Sequence, residues 1–215
     1  MIFTASDLAE ILRGIAARLN DASDHLCQLD GQIGDGDHGT TMVLGFDMIV
    51  QRLLDQDLST TTPGDLLSLS GETFLNTVGA TAGPLYASAF QEAANFANRH
   101  PDLTVAKAPL LLAAMSDGIG ARGRAKPGDK TMMDVWFPVA QHIRAATLTT
   151  QSSEQLAIEL RVIGADGVAA TKAMVASKGR AARLGERSLG HADPGASSAA
   201  IIIGCFCDVF EDRAV

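Results

Sequence analysis

An all-α domain is the fold this sequence predicts. Apolar residues recur at helical spacing along nearly the whole chain, hairpin signals and period-two alternation are missing, and most connections between periodic stretches are short. With 215 residues, 47% of them hydrophobic, a single domain over 1–215 with one sizeable core is expected.

The first helix carries Leu8, Ile11, Leu12, Ile15 and Leu19 on one face. Thr4, three residues before Asp7, resembles a capping box with Asp in place of Glu. A glycine-broken acidic turn follows. The second helix carries Met42, Val43, Phe46, Ile49, Val50 and Leu53. Pro63 sits where a third helix starts, with Leu66, Leu67, Phe74 and Leu75 inside it. The stretch 77–83 is small and glycine-marked, and Pro84 opens a fourth helix through Ala94. A fifth runs from about Ala108 through Leu112 and Met115, before a long polar stretch at 117–130. The sixth carries Met132, Met133, Val135, Trp136 and Val139, with Pro138 placed to kink it. A seventh runs from Ser153 past Leu156, Leu160 and Ile163 to Val175; after a second polar loop, Pro194 opens the last helix through Phe210. These make about eight antiparallel helices in a bundle. Loops after odd-numbered helices share one end of an up-and-down bundle, so 30–39, 77–83, 117–130 and 178–193 should converge.

A net charge of −8 argues against a broad nucleic-acid surface, which needs clustered Lys and Arg. An acidic protein still binds phosphates when metal ions stand between the two. Cys27, Cys205 and Cys207 form an odd set without Cys-x-x-Cys spacing, which fits a reducing compartment. The last two sit in an apolar stretch and read as buried structural thiols. The N-terminus lacks a basic, apolar leader pattern, and no segment reads as the 18 or so apolar residues of a membrane span. A cytoplasmic protein without a membrane partner is expected.

The densest chemistry lies in Leu29-Asp30-Gly31-Gln32-Ile33-Gly34-Asp35-Gly36-Asp37-His38-Gly39. Two like charges at about 4 Å cost on the order of 4 kcal/mol at an effective dielectric near 20. A hard cation bound through oxygen relieves Asp30, Asp35 and Asp37, and Mg²⁺ completes its shell with water and substrate phosphates. Gly39, Thr40 and Thr41 would then start a helix whose free N–H groups face a phosphate. His38 is open between a phosphate contact and a helix cap. In the last loop, Arg180 is open between a surface cation and a bidentate phosphate partner, and Asp193-Pro194-Gly195 makes a rigid helix entry.

Three other motifs fail on context. Gly118-Ile119-Gly120-Ala121-Arg122-Gly123 has the dinucleotide spacing but follows a helix rather than a strand. Gly123 to Thr131 nearly spells a P-loop, but Asp129 separates the Gly from the Lys. Asp35 and Asp37 match calcium-loop positions, yet Thr40 and Phe46 stand where that loop needs Gly and Glu.

Gly34-Asp35-Gly36-Asp37-His38-Gly39, Lys126-Pro127-Gly128-Asp129-Lys130-Thr131-Met132, Leu184-Gly185-Glu186-Arg187-Ser188 and His191-Ala192-Asp193-Pro194-Gly195-Ala196 occur in this order. Together they resemble the nucleotide-binding L subunit of dihydroxyacetone kinases, over essentially the whole chain. The resemblance implies a barrel of eight antiparallel helices with ADP or ATP bound at one end. It implies two Mg²⁺ ions held by Asp30, Asp35 and Asp37. It implies nucleotide contacts from His38, Gly39, Thr40 and Thr41, from Thr81 and Ala82, from Gly123 and Met132, and from Arg180, Asp193, Pro194 and Gly195. Met132 would lie on the adenine side and Arg180 nearer the phosphates. The ketone sits on a separate K subunit, so this chain supplies no nucleophile or base. One branch of the family uses free ATP; the other keeps ADP as a cofactor rephosphorylated by a phosphotransferase-system M subunit. His38 and the run from Lys130 to Trp136 resemble the second branch, although Thr41 and Gly31 depart from it. The alternatives are an ATP-dependent kinase for another acceptor, such as erythrulose or a fatty acid, and a nucleotide-loaded regulatory module. The oligomeric state is open, a homodimer included.

Overall fold

The computed structural model describes residues 1–147 and 152–212. Among them are nine α-helices: α1 (Ala5–Asp21), α2 (Ser23–Ile33), α3 (His38–Leu53), α4 (Pro63–Thr77), α5 (Ala82–Arg99), α6 (Pro109–Gly123), α7 (Met133–Ala146), α8 (Ser153–Thr171) and α9 (Pro194–Asp212). Short 3₁₀ segments occupy Val105–Lys107 and Ala181–Ser188. The described residues form no strand; Ile2 and Thr104 make one isolated bridge.

At the starts of α1 and α4, side chains replace the bonds that a first turn lacks. Thr4 Oγ1 accepts from the Asp7 amide while the Asp7 carboxylate accepts from the Thr4 amide, closing the box on α1. Thr62 and Asp65 repeat it on α4, with Pro63 in the first turn.

Each helix packs on the next around a closed ring. The order is α1, α3, α4, α5, α6, α7, α8 and α9, and α9 returns to α1. The apolar faces meet inside, where Phe46, Phe74, Tyr86 and Phe90 form a cluster with the Phe46 and Phe74 ring centroids 5.4 Å apart. Trp136, Phe206 and Phe210 are also buried there. Pro138 lies inside α7, where it cannot donate to the Asp134 carbonyl. Gly167 of α8 packs against that carbonyl, and a Cβ at 167 would lie 2.5 Å from it. Cys205 and Cys207 are buried, and burial pushes their thiols up to about 11 and 12, so neither is a nucleophile at neutral pH.

Three expectations need correction. The segment after α1 is a helix, α2, so Asp30 sits in its last turn rather than in a free loop. α2 lies outside the ring, against α3 and α9, and buries only Leu26 and Ile33. Its short apolar stripe is Leu26, Leu29 and Ile33. Second, α6 continues through the glycines to Gly123. A Cβ at Gly118 would lie 2.2 Å from the Ser88 carbonyl, so that glycine serves the close approach of α5 and α6. Third, one helix does reach spanning length and hydropathy: Pro194–Glu211 in α9, of which 67% is buried inside the protein. Its apolarity is that of a ring helix covered by its neighbours.

Candidate functional site

The connections after α2, α4, α6 and α8 open at one end of the ring and line a single cleft of about 580 Å³. The convergence expected of the glycine-rich loops is thus present, and it makes successive ring helices antiparallel. The backbone at this end is locally strained. Ala80, Arg124 and Lys130 all have left-handed φ angles, near 52°, 52° and 59°, a conformation that costs a non-glycine residue of order 1–3 kcal/mol.

The acidic turn is organised around Asp30. Its Oδ2 accepts from the amides of Gly36, Asp37 and His38 at 2.8, 3.0 and 3.3 Å. Those bonds fold the chain back so that Asp30, Asp35 and Asp37 each present a carboxylate oxygen within 4.8 Å of the others. Gly34 keeps the remaining Asp30 oxygen open, since a Cβ there would lie 2.2 Å from Oδ1. Arg180 forms an ion pair with Asp35 across the cleft mouth. Three convergent carboxylates facing one guanidinium leave excess negative charge. An all-oxygen donor set of this kind fits a hard divalent cation such as Mg²⁺.

The cleft also has an apolar lining, from Leu85 of α5, Ile119 of α6, and Met132 and Met133 at the entry of α7. Thr81, Ala82, Gly123, Pro194 and Gly195 also line the cleft, and Gly195 lies against Met132, where a Cβ would come 3.6 Å from it. Asp193 caps α9 by accepting from the Ala196 amide at 2.7 Å. Burial pushes its carboxyl up to about 7, against the opposing pull of that bond and of Lys130. His38 is held by its ring Nε2, 2.9 Å from Ser198 Oγ. Burial lowers its pKa, while Asp30 and Asp37 work the other way.

Of the residues expected at the site, Asp30, Asp35, Asp37, His38, Thr41, Thr81, Ala82, Gly123, Met132, Arg180, Asp193, Pro194 and Gly195 line this cleft. Gly39 and Thr40 do not. Gly39 is pressed against α2, where a Cβ would lie 2.0 Å from the Ser23 carbonyl. Thr40 is exposed, and its hydroxyl donates to the Asp37 carbonyl at 2.9 Å. The expectation of open amides at the start of α3 also changes, because the Asp30 carboxylate already occupies part of that position.

Sequence reading passed over Lys130 as a site residue. Its side chain is 1% exposed, and Nζ donates to the carbonyls of Thr171 and His191 at 2.6 and 2.5 Å. It ties the entry of α7 to the last loop. Burial lowers its pKa, while Asp193 and Asp134 raise it. Lys178 and Thr131 also line the cleft. The sequence signal for Lys130 and Thr131 is their place in Lys126-Pro127-Gly128-Asp129-Lys130-Thr131-Met132, since a lone lysine otherwise reads as surface.

The DAK2 domain family model matches residues 32–208. The PEP-dependent dihydroxyacetone kinase, ADP-binding subunit DhaL, of Escherichia coli (strain K12) is 41% identical over 82% of this chain and 83% of its own. The ADP-binding subunit DhaL of PEP-dependent dihydroxyacetone kinase 2 from Listeria innocua is 34% identical, covering 92% and 91%. Among solved structures, the dihydroxyacetone kinase from C. freundii in complex with AMP-PNP and Mg²⁺ superposes with a TM-score of 0.71 at 25% identity. That match covers 97% of this chain but 34% of the C. freundii polypeptide, so this chain spans about a third of it. The chain belongs to the DAK2-domain family, among relatives that are ADP-binding subunits of dihydroxyacetone kinases.

Proposed function

We propose that this chain is the nucleotide-carrying subunit of a kinase for dihydroxyacetone or a closely similar small ketose. The observation that carries the reading is one cleft lined both by an oxygen-rich acidic cluster and by the apolar side chains Leu85, Ile119, Met132 and Met133. That pairing suits a molecule with a polyphosphate at one end and a flat base at the other. In this reading Asp30, Asp35 and Asp37 hold two Mg²⁺ ions, and Leu85, Ile119 and Met132 take the adenine. His38, Thr41, Thr81, Lys178 and Arg180 contact the phosphates, and Asp193, Pro194 and Gly195 form the floor. Bound magnesium neutralises phosphoryl oxygens during transfer. The protein's own part is positioning: Arg180 exchanges its carboxylate partner for phosphate, and the apolar wall excludes water from the base.

No nucleophile is required of this chain, because the acceptor is held on a separate K-type subunit that closes over the cleft mouth. The dependence on PEP of the related kinases supports a donor relay in which an M-type phosphotransferase subunit recharges ADP in place. The protein then works in the cytoplasm.

The test is reconstitution with a K-type partner and dihydroxyacetone, once with ATP and once with a PEP-driven relay. Dihydroxyacetone phosphate is expected with the relay, at a rate well above that with ATP. The purified chain should also bind ADP in the presence of Mg²⁺. A protein that takes up neither ADP nor ATP with Mg²⁺ would end this reading.

A further inference from the structure

Arg180 is the one cation that the described residues bring onto the acidic turn. It pairs with Asp35, while neither Asp30 nor Asp37 joins an ion pair among the described residues. The other cations of the cleft are engaged elsewhere or stand apart. Lys130 Nζ is spent on the carbonyls of Thr171 and His191. Lys178 lines the cleft but makes no ion pair among the described residues.

The backbone that carries Arg180 is tied at both ends. At one end the Ser177 amide donates to the Asp129 carbonyl at 3.1 Å, and the Ser177 hydroxyl donates to the Asp129 carboxylate at 2.6 Å. At the other, the buried Ser188 hydroxyl accepts from the Ala176 amide at 2.9 Å and donates to the Gly185 carbonyl at 2.7 Å. Between these ties Gly179 and Gly185 have φ angles of 65° and 53°, and a Cβ at either would meet nothing within 4 Å. Glycine here serves the turning backbone, not a close approach. Arg180 is thus delivered to the acidic turn by a strap with fixed ends, and its guanidinium has no partner besides Asp35 among the described residues.

We propose that Arg180 is a latch on the acidic turn, which resists a bare divalent cation and admits the metal together with a polyphosphate. The proposal deepens the nucleotide reading above and rests on it. A cation arriving alone must take Asp35 from the guanidinium or bind beside that positive charge, and either course costs affinity. A nucleotide brings Arg180 a replacement, because two phosphate oxygens suit the planar fork in charge-assisted bonds. Once the guanidinium turns to phosphate, Asp35 is released to the metal. Metal and nucleotide then strengthen each other's binding by one and the same factor. The paired side chains are 56% and 42% exposed, and exposed ion pairs contribute little, so a bidentate phosphate outweighs the latch.

The signature is a pair of opposite effects in Arg180→Gln. Mn²⁺ is the probe, since carboxylate oxygens suit it as they suit Mg²⁺ and its free form is counted by electron paramagnetic resonance. The protein is stripped of metal and nucleotide with EDTA, desalted, and titrated at about 0.15 M salt, where charges out of contact are largely screened. Arg180→Gln should bind bare Mn²⁺ about three- to fivefold more tightly than the wild type. The same variant should bind ADP at saturating Mn²⁺ about tenfold more weakly, having lost its bonds to a charged ligand. Lys178→Gln removes an unpaired cation from the same cleft and should change bare Mn²⁺ binding by less than about twofold. Both side chains are exposed, so neither substitution threatens the fold. Bare Mn²⁺ binding that is unchanged or weaker in Arg180→Gln overturns the latch. An equal gain in Lys178→Gln also overturns it, because the turn would then be answering to the total charge of the cleft. Absence of Mn²⁺ uptake by both the wild type and Arg180→Gln does the same. If the Mn²⁺ gain is present but ADP binds to none of the three proteins, the nucleotide reading fails, and the Arg180–Asp35 pair stands as a barrier to bare metal.

Discussion

Asp30 divides its two oxygens between shaping the turn and serving in it. Oδ2 gathers three amides, and only Oδ1 is left toward the cluster. Asp35 and Asp37 do not organise the turn in this way, so they are the cleaner probes. Asp37→Ala should abolish phosphoryl transfer and weaken ADP·Mg binding at least about tenfold, with the far-ultraviolet dichroism of a helical protein retained. Normal transfer by that variant would remove the metal role. Asp30→Ala should additionally lower stability by about 1–3 kcal/mol, because three amides lose their acceptor. A second residue-scale consequence belongs to Asp193. Its carboxyl holds a proton up to about pH 7 in the folded chain, while the unfolded chain releases it near the usual carboxylate value of about 3.9. The folded state binds more protons between those limits, so stability falls as pH rises from about 4 to about 7 and then levels. The full effect is of order 4 kcal/mol. Asn at 193 keeps an acceptor for the Ala196 amide, so denaturant midpoints of Asp193→Asn should lack this component of the slope. Equal slopes in the two proteins would show that Asp193 is ionised throughout.

At the scale of the element, what was legible depended on where a helix lies. Ring helices such as α1 and α3 bury a full face and announce it by period. α2 lies outside the ring with two buried side chains, and its glycine-containing acidic end reads as loop. The end of α6 misled for the opposite reason. Its glycines look like turn formers, but Gly118 lets two helices touch backbone to backbone. Gly118→Ala should therefore separate α5 from α6 and cost about 1–3 kcal/mol, as for overpacking elsewhere; a denaturant titration reads it, and an unshifted midpoint would mean the helices part freely. The acidic cluster was legible because its members are neighbours in sequence. Lys130 and Ser198 were not, since each is defined by partners far away, His191 in one case and His38 in the other. No local pattern encodes such a pairing.

The molecule as a whole is a ring whose open end gathers loops from across the chain. Ligand at that end must stabilise all of them together. At a hundredfold excess over the dissociation constant, ADP with Mg²⁺ should add about 2.7 kcal/mol. For a chain of this length that raises the melting temperature by roughly 5–10 °C, and EDTA should reverse it. A melting temperature indifferent to both would mean that the cleft does not hold them.

The seam where α9 meets α1 has a consequence for biosynthesis. Cleft residues are drawn from position 30 to position 195, and the wall carrying Asp193 comes late off the ribosome. A nascent chain stalled after α7 has its carboxylate turn but neither Arg180 nor the α9 entry, and its ring is still gaping. Such a fragment holds the metal and base contacts proposed above but lacks the residues of the last loop and the α9 entry, so it should bind ADP with Mg²⁺ more weakly than the whole chain.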